Sequence, residues 1–362
     1  MTSTRVIDAD GHVVETEATW ASLDKRHEAW RPRWVTDPDG VVRVLMEGRL
    51  YQKPRGFGRG APEGLAAPNK KALNNGGKDP HGRIKDMGLE GIDVAVVYPT
   101  IGLAVGGLDD ASFATAFCRS YNDWVADYCK THPSRIKGVA IVALQDVAGA
   151  VKELQRCIGQ LGMVGVMLPS NVLGRNLSQP QFSPLFAEAQ EMGVPIGIHT
   201  STGMHARACG ADRFELFPLA HATSFPFEIM IAVASFLCEG IAEQFPRLKV
   251  AFLEAGVGWL PWWLERLDEE FEMRGNEMPS MTMSPSEYVK ARDFYFSCEP
   301  DEKGVPLAAD TVGADRILYA SDYPHWDASF PESVSMVRTR TDLSNSAKNK
   351  ILGENAARFY GL

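Results

Sequence analysis

The chain has 362 residues, 45% apolar and 23% charged, with a formal net charge of −9. This is the composition of an ordinary globular protein, long enough for one large domain. The acidic balance and the absence of a dense Lys/Arg block argue against nucleic acid as a partner, and no apolar run reaches the ~18 residues of a membrane span. The six cysteines (Cys118, Cys129, Cys157, Cys209, Cys238 and Cys298) are scattered without close pairs. They read as reduced thiols, and no basic segment followed by an apolar core opens the sequence, so a cytoplasmic protein is expected.

Taken in order, residues 5–9 read as a short buried strand. Residues 13–80 do not settle into alternating elements: Trp20, Trp30 and Trp34 are followed by a hairpin signal through Asp39-Gly40 and Gly48, then by a basic Gly/Pro-rich run from Lys53 to Lys78. Loops of this length in compact domains often act as lids, and residues 43–80 are expected to form an insertion of that kind, near the substrate, within a single domain spanning 1–362. Regular alternation begins near residue 83. Strands are expected at Val94–Tyr98, Ile136–Leu144, Val164–Leu168, Pro195–His199, Leu248–Leu253, Phe294–Phe296 and Arg316–Ala320. Helices are expected at 83–89, 109–129, 147–158, 182–192, 228–238, 259–273 and 307–312. Gly193 suits a helix C-terminal cap. The stretch from His199 to Phe227 reads as a long loop, and 345–352 and 354–359 as two terminal helices around Gly353.

Eight strands separated by helices, with nearly continuous apolar runs, predict a (β/α)8 barrel, with a doubly wound open sheet as the competing topology. The barrel is favoured because four of these strands deliver polar, chemically competent side chains at or just past their C-terminal ends: Asp10 and His12, His199, Glu254, and Asp322. Barrel enzymes gather their chemistry at that rim. In an extended strand, residues i and i+2 share a face, so Asp10 and His12 converge. Asp10, His12, His199 and Asp322 form a mixed oxygen and nitrogen donor set that suits one divalent ion, Zn or Mn foremost and Fe next. Glu254 is positioned to ligate, to transfer protons or to orient a ligand, and Asp322 and His325 to act in catalysis, with Asp327 fixing the His325 tautomer. Arg207 matches a substrate carboxylate. His205, His221 and Glu299 are further substrate-facing residues, whereas His27, His81 and His132 are structural or solvent-exposed.

The Asp10-x-His12 opening, His199, the run Ala320-Ser321-Asp322-Tyr323-Pro324, the segments Pro226-Phe227-Glu228 and Phe245–Val250, and the ending Gly353–Tyr360 resemble the amidohydrolase superfamily. Within it they resemble the branch of aminocarboxymuconate-semialdehyde decarboxylase and gamma-resorcylate decarboxylase. The resemblance implies a metal-dependent barrel enzyme, most simply a non-oxidative decarboxylase of a small aromatic or unsaturated carboxylic acid. Most members of the branch open with histidine or glutamate where this chain has Asp10, and the characterised decarboxylases carry a histidine where it has Glu254. Hydrolysis of an amide, ester or lactone is the alternative chemistry, and a catalytically inactive binding barrel the second alternative. Related barrels often dimerise, so a homodimer or higher homo-oligomer is expected, with the aromatic helix after Trp259 as a contact surface.

Overall fold

The computed structural model describes residues 5–36, 38, 42–50, 74–201, 208–214 and 216–362. Eight parallel strands form the central sheet in sequence order: β1 (Ile7–His12), β2 (Val94–Tyr98), β3 (Ile136–Ile141), β4 (Gly165–Pro169), β5 (Ile196–His199), β6 (Lys249–Phe252), β7 (Asp293–Cys298) and β8 (Ile317–Tyr319). All eight lie at the expected positions, within a few residues. Their side chains are buried almost without interruption because helices cover the outside and side chains fill the inside. Hydrogen bonds from Asp322 N to Asp10 O (3.1 Å) and from His12 N to Tyr323 O (2.7 Å) join the chain just after β8 to β1. That seam turns the sheet into a (β/α)8 barrel and brings the two ends of the chain's chemistry together.

The helices follow the apolar periodicity, with differences that have identifiable causes. The helix expected from residue 228 spans Phe217–Cys238 and carries Pro226 in its interior. Proline discourages a helix in sequence reading, but here burial of Phe225, Ile229, Val233 and Phe236 outweighs the lost backbone bond. His221 therefore sits on a helix and not in a loop. This helix is long and apolar enough to cross a membrane, and 56% of its apolar window is buried inside the fold.

The two expected terminal helices are one continuous element with a π-helical turn at Lys350–Glu354. A Cβ on Gly353 would lie 1.9 Å from the Arg5 carbonyl, so the close approach of backbone to backbone requires glycine there. Residues 13–50 contain two 3-10 turns, which were not expected, and a three-stranded antiparallel sheet (33–36, 42–46 and 49–50) in the stretch where the hairpin signal lies. Gly48 closes its second turn with φ 73°, whereas Asp39-Gly40 and most of the expected lid, 51–73, lie outside the described residues. Helices at Pro285–Ala291 and Ser333–Thr339 were also not expected.

Candidate metal centre at the barrel rim

The β1 ladder to β2 carries a register irregularity between Asp8 and Gly11. Such bulges re-aim side chains, and beyond this one Asp10 and His12 are buried and directed at the same space. His199 ends β5. Glu254 and Asp322 both adopt φ 52°, the left-handed region that a non-glycine residue avoids. Two side chains held this way at strand ends are a signature of function, because the backbone cost must be offset by the surroundings. The Glu254 amide donates to Ser297 Oγ (2.9 Å), and the loop after it is held where Val257 N donates to the Glu302 carboxylate (2.9 Å). Asp322 is held by the seam bond to Asp10 O and by its neighbour Ser321, whose amide donates to Asp8 Oδ1 (2.9 Å).

Ligand atoms of Asp10, His12, His199 and Glu254 all lie within 4.8 Å of one another, and so do those of His12, Glu254, Asp322 and His325. His12 Nε2 is 3.5 Å from Asp10 Oδ1, 3.4 Å from Glu254 Oε2 and 3.4 Å from Asp322 Oδ1. His199 Nε2 is 2.7 Å from Glu254 Oε2 and 3.7 Å from Asp10 Oδ2. Atoms bound about 2.0–2.2 Å from one ion sit roughly 3–3.5 Å apart, which these separations match apart from the tighter His199–Glu254 and the slightly wider His199–Asp10 approach. Asp10 Oδ1, His12 Nε2, His199 Nε2 and Glu254 Oε2 are buried and have no hydrogen-bond partner among the described residues. Four orphaned donors or acceptors converging in one place is costly unless a cation completes them. The residues present therefore fit a divalent metal ion. Glu254 joins Asp10, His12 and His199 in one group, and the expected ligand Asp322 stands with His12, Glu254 and His325 in the overlapping one.

The backbone sets both histidine tautomers. His12 Nδ1 lies 2.7 Å from Pro99 O and His199 Nδ1 lies 2.8 Å from Thr200 O. A carbonyl can only accept, so each Nδ1 carries a proton, and each ring in its neutral form presents the Nε2 lone pair to the centre. Sequence reading did not find these carbonyls because they are backbone atoms brought in by the fold. The charges are interlocked. Burial pushes Asp10 up to about 6, against the pull of His199 and His12. Burial would lower His199, yet Glu254 and Asp10 outweigh it and take it up to about 9. Burial works to raise Glu254, but His199 and His12 hold it well below the usual carboxylate range.

His325 differs from expectation. Its Nδ1 is 2.6 Å from Asp322 Oδ1, so Asp322 and not Asp327 fixes it. Its Nε2 is 2.9 Å from Thr100 Oγ1, and that hydroxyl donates to Val13 O (2.7 Å). Both ring nitrogens are thus occupied within the protein, and His325 meets a substrate only through Asp322. Burial, then the surrounding carboxylates, raises Asp322 well above its usual range, while burial and His12 hold His325 well below its own. Because the Thr100 hydroxyl donates to Val13 O, His325 Nε2 donates to it, and Nδ1 of the neutral ring is left to accept from Asp322. Asp327 instead faces His221 Nε2 at 3.9 Å. His221 packs among Phe217, Phe225 and Trp326, the last 40% exposed at the rim. Glu299 is exposed just past β7. His205 and Arg207 lie outside the described residues.

The family model for amidohydrolases matches residues 7–362. The chain belongs to the amidohydrolase family. The expected kinship with both decarboxylases holds as well. This amidohydrolase is 28% identical over 289 residues to 2-amino-3-carboxymuconate-6-semialdehyde decarboxylase of Dictyostelium discoideum, covering 78% of this chain and 77% of that protein. It is 25% identical over 304 residues to gamma-resorcylate decarboxylase of Rhizobium sp. (strain MTP-10005), covering 77% and 86%. Its fold matches the crystal structure of 5-carboxyvanillate decarboxylase from Novosphingobium aromaticivorans, in complex with manganese and 4-hydroxy-3-methoxy-5-nitrobenzoic acid, with a TM-score of 0.73 at 22% identity over 99% of this chain and 97% of that one.

Proposed function

We propose that this amidohydrolase is a metal-dependent, non-oxidative decarboxylase of a small aromatic or unsaturated carboxylic acid. The observation that carries the reading is the convergence of four buried, unpartnered ligand atoms at the C-terminal rim of a barrel whose curated relatives include decarboxylases. Asp10, His12, His199 and Glu254 hold the ion, with Asp322 beside it, and manganese is the first choice given the related structure that contains it. When bound, the cation supplies Lewis-acid anchoring for the substrate carboxylate and a neighbouring oxygen. Asp322 holds a proton at Oδ1, kept in place by His325 Nδ1, and delivers it to the carbon bearing the carboxylate, which lets the C–C bond to carbon dioxide break. Trp326 and His221 form the wall along which a planar ring lies, and Glu299 stands just past β7; Arg207 and His205 are the candidates that the sequence offers for the substrate carboxylate.

The exposed apolar positions Leu219, Phe227 and Ile231 on helix Phe217–Cys238 and Leu216 just before it, together with Trp262, form the face on which a second copy of the chain sits in the cytoplasm. Manganese-loaded protein should release carbon dioxide from hydroxybenzoate-type or carboxymuconate-type acids. In D2O the product should carry deuterium at the vacated carbon, and in H2 18O it should gain no solvent oxygen. Solvent oxygen in the product without carbon dioxide would identify a hydrolase instead. Failure to take up metal would leave only the binding-barrel reading.

A further inference from the structure

Glu15 has a fully buried carboxylate and lies three residues beyond the metal-facing strand β1. Its Oε2 accepts from Thr100 N (3.1 Å) and Ile101 N (3.0 Å), and its Oε1 accepts from Gly102 N (2.8 Å). These are open amides at the start of the 3-10 turn Ile101–Gly107, which follows β2. Thr100, the residue placed to cap that turn, makes no capping bond with its side chain. Its hydroxyl points the other way, donating to Val13 O and meeting His325 Nε2. The preceding carbonyl, Pro99 O, receives His12 Nδ1. One buried carboxylate thus fixes the dipeptide Pro99-Thr100, and this dipeptide contacts histidines from opposite ends of the sequence.

We infer that Glu15 is a positioning residue for the metal centre: by capping the turn after β2 in place of Thr100, it frees the Thr100 hydroxyl for His325 and holds Pro99 O against His12. This rests on the metal-centre reading above. An aspartate is a methylene shorter and a glutamine turns an N–H2 toward an amide donor, so neither reproduces three accepted N–H bonds. Groups behind metal ligands characteristically change affinity about 10–100-fold when altered, through the orientation of the ligand rings.

The test compares wild type with Glu15→Gln and Thr100→Val. Glu153→Gln is the control: Glu153 is a buried carboxylate bonded to Asn122 and Arg156, in a different hydrogen-bond network from Glu15. Imidazole 15N spectra of the metal-free proteins read the tautomers directly. The wild type should show Nδ1-protonated His12 and Nε2-protonated His325. Glu15→Gln should mix the His12 and His325 tautomers, Thr100→Val should disturb His325 alone, and Glu153→Gln should leave both as in wild type. Manganese affinity, followed by electron paramagnetic resonance, should fall about 10–100-fold in Glu15→Gln and hold within ~3-fold in the control. A folded Glu15→Gln protein with wild-type tautomers and wild-type affinity overturns the inference. If that variant does not fold, undisturbed His325 signals in Thr100→Val overturn it. Wild-type protein that binds no manganese rejects the metal-centre reading itself, and the 15N spectra still decide whether Glu15 sets the rings.

Discussion

Glu254 offers the most decisive single substitution. Its Oε2 lies 2.7 Å from His199 Nε2 and 3.4 Å from His12 Nε2. Glu254→Gln keeps the shape and removes the charge. If Glu254 ligates, an anionic ligand is lost, and the cost exceeds the 10–100-fold carried by groups behind the ligands; manganese should bind more than about 100-fold weaker, or about 3 kcal/mol. A second consequence follows from His199, which Glu254 and Asp10 keep protonated up to about pH 9 in the metal-free protein. A metal-ligating imidazole must be neutral, so wild-type binding at pH 7 displaces a proton from His199, whereas the glutamine variant displaces less. Calorimetric titration of manganese in two buffers of different ionisation enthalpy measures both quantities. Wild-type affinity and wild-type proton release in Glu254→Gln would refute the assignment. Unchanged affinity with turnover lowered 10²–10⁴-fold would make Glu254 a proton carrier and not a ligand.

Three other outcomes are expected. His199→Ala should purify without manganese from cells in which wild type retains about one ion per chain, by elemental analysis. In metal-free protein, the raised pKa of His199 means that its imidazolium adds stability in full below its unfolded value of 6.5. That stability is lost as pH climbs through about 9. Urea melts should therefore show a decline on the order of 2–3 kcal/mol between pH 6.5 and 9.5, removed when manganese takes the proton's place. Gly197→Ala should destabilise by about 1–3 kcal/mol, because its Cβ would lie 2.3 Å from the Tyr98 hydroxyl, which is bonded to Tyr360 Oη at 2.7 Å in the barrel interior. Thermal melting checks this, and an unchanged midpoint would show that Tyr98 swings aside freely.

The sequence by itself determined the barrel and most of its reactive rim. Eight apolar runs with helical periodicity between them are a one-dimensional pattern, and a parallel barrel has few other ways to bury them. Strand ends mark the rim, so Asp10, His12, His199, Glu254 and Asp322 were legible from position alone. The tertiary structure decided how those residues divide their roles. It placed Glu254 with three of the four expected ligands, paired Asp322 with His325, and fixed the histidine tautomers through Pro99 O and Thr200 O. It also placed the Glu15 carboxylate on the turn after β2, a contact across 85 residues to Thr100. Val13-Val14-Glu15, a carboxylate ending an apolar run, was the only hint of it in the sequence. Backbone carbonyls and buried hydroxyls carry no periodicity, and which of them meets which ring depends on the closure of β8 onto β1 and on the turn after β2. Those are long-range contacts that exist only once the barrel is formed.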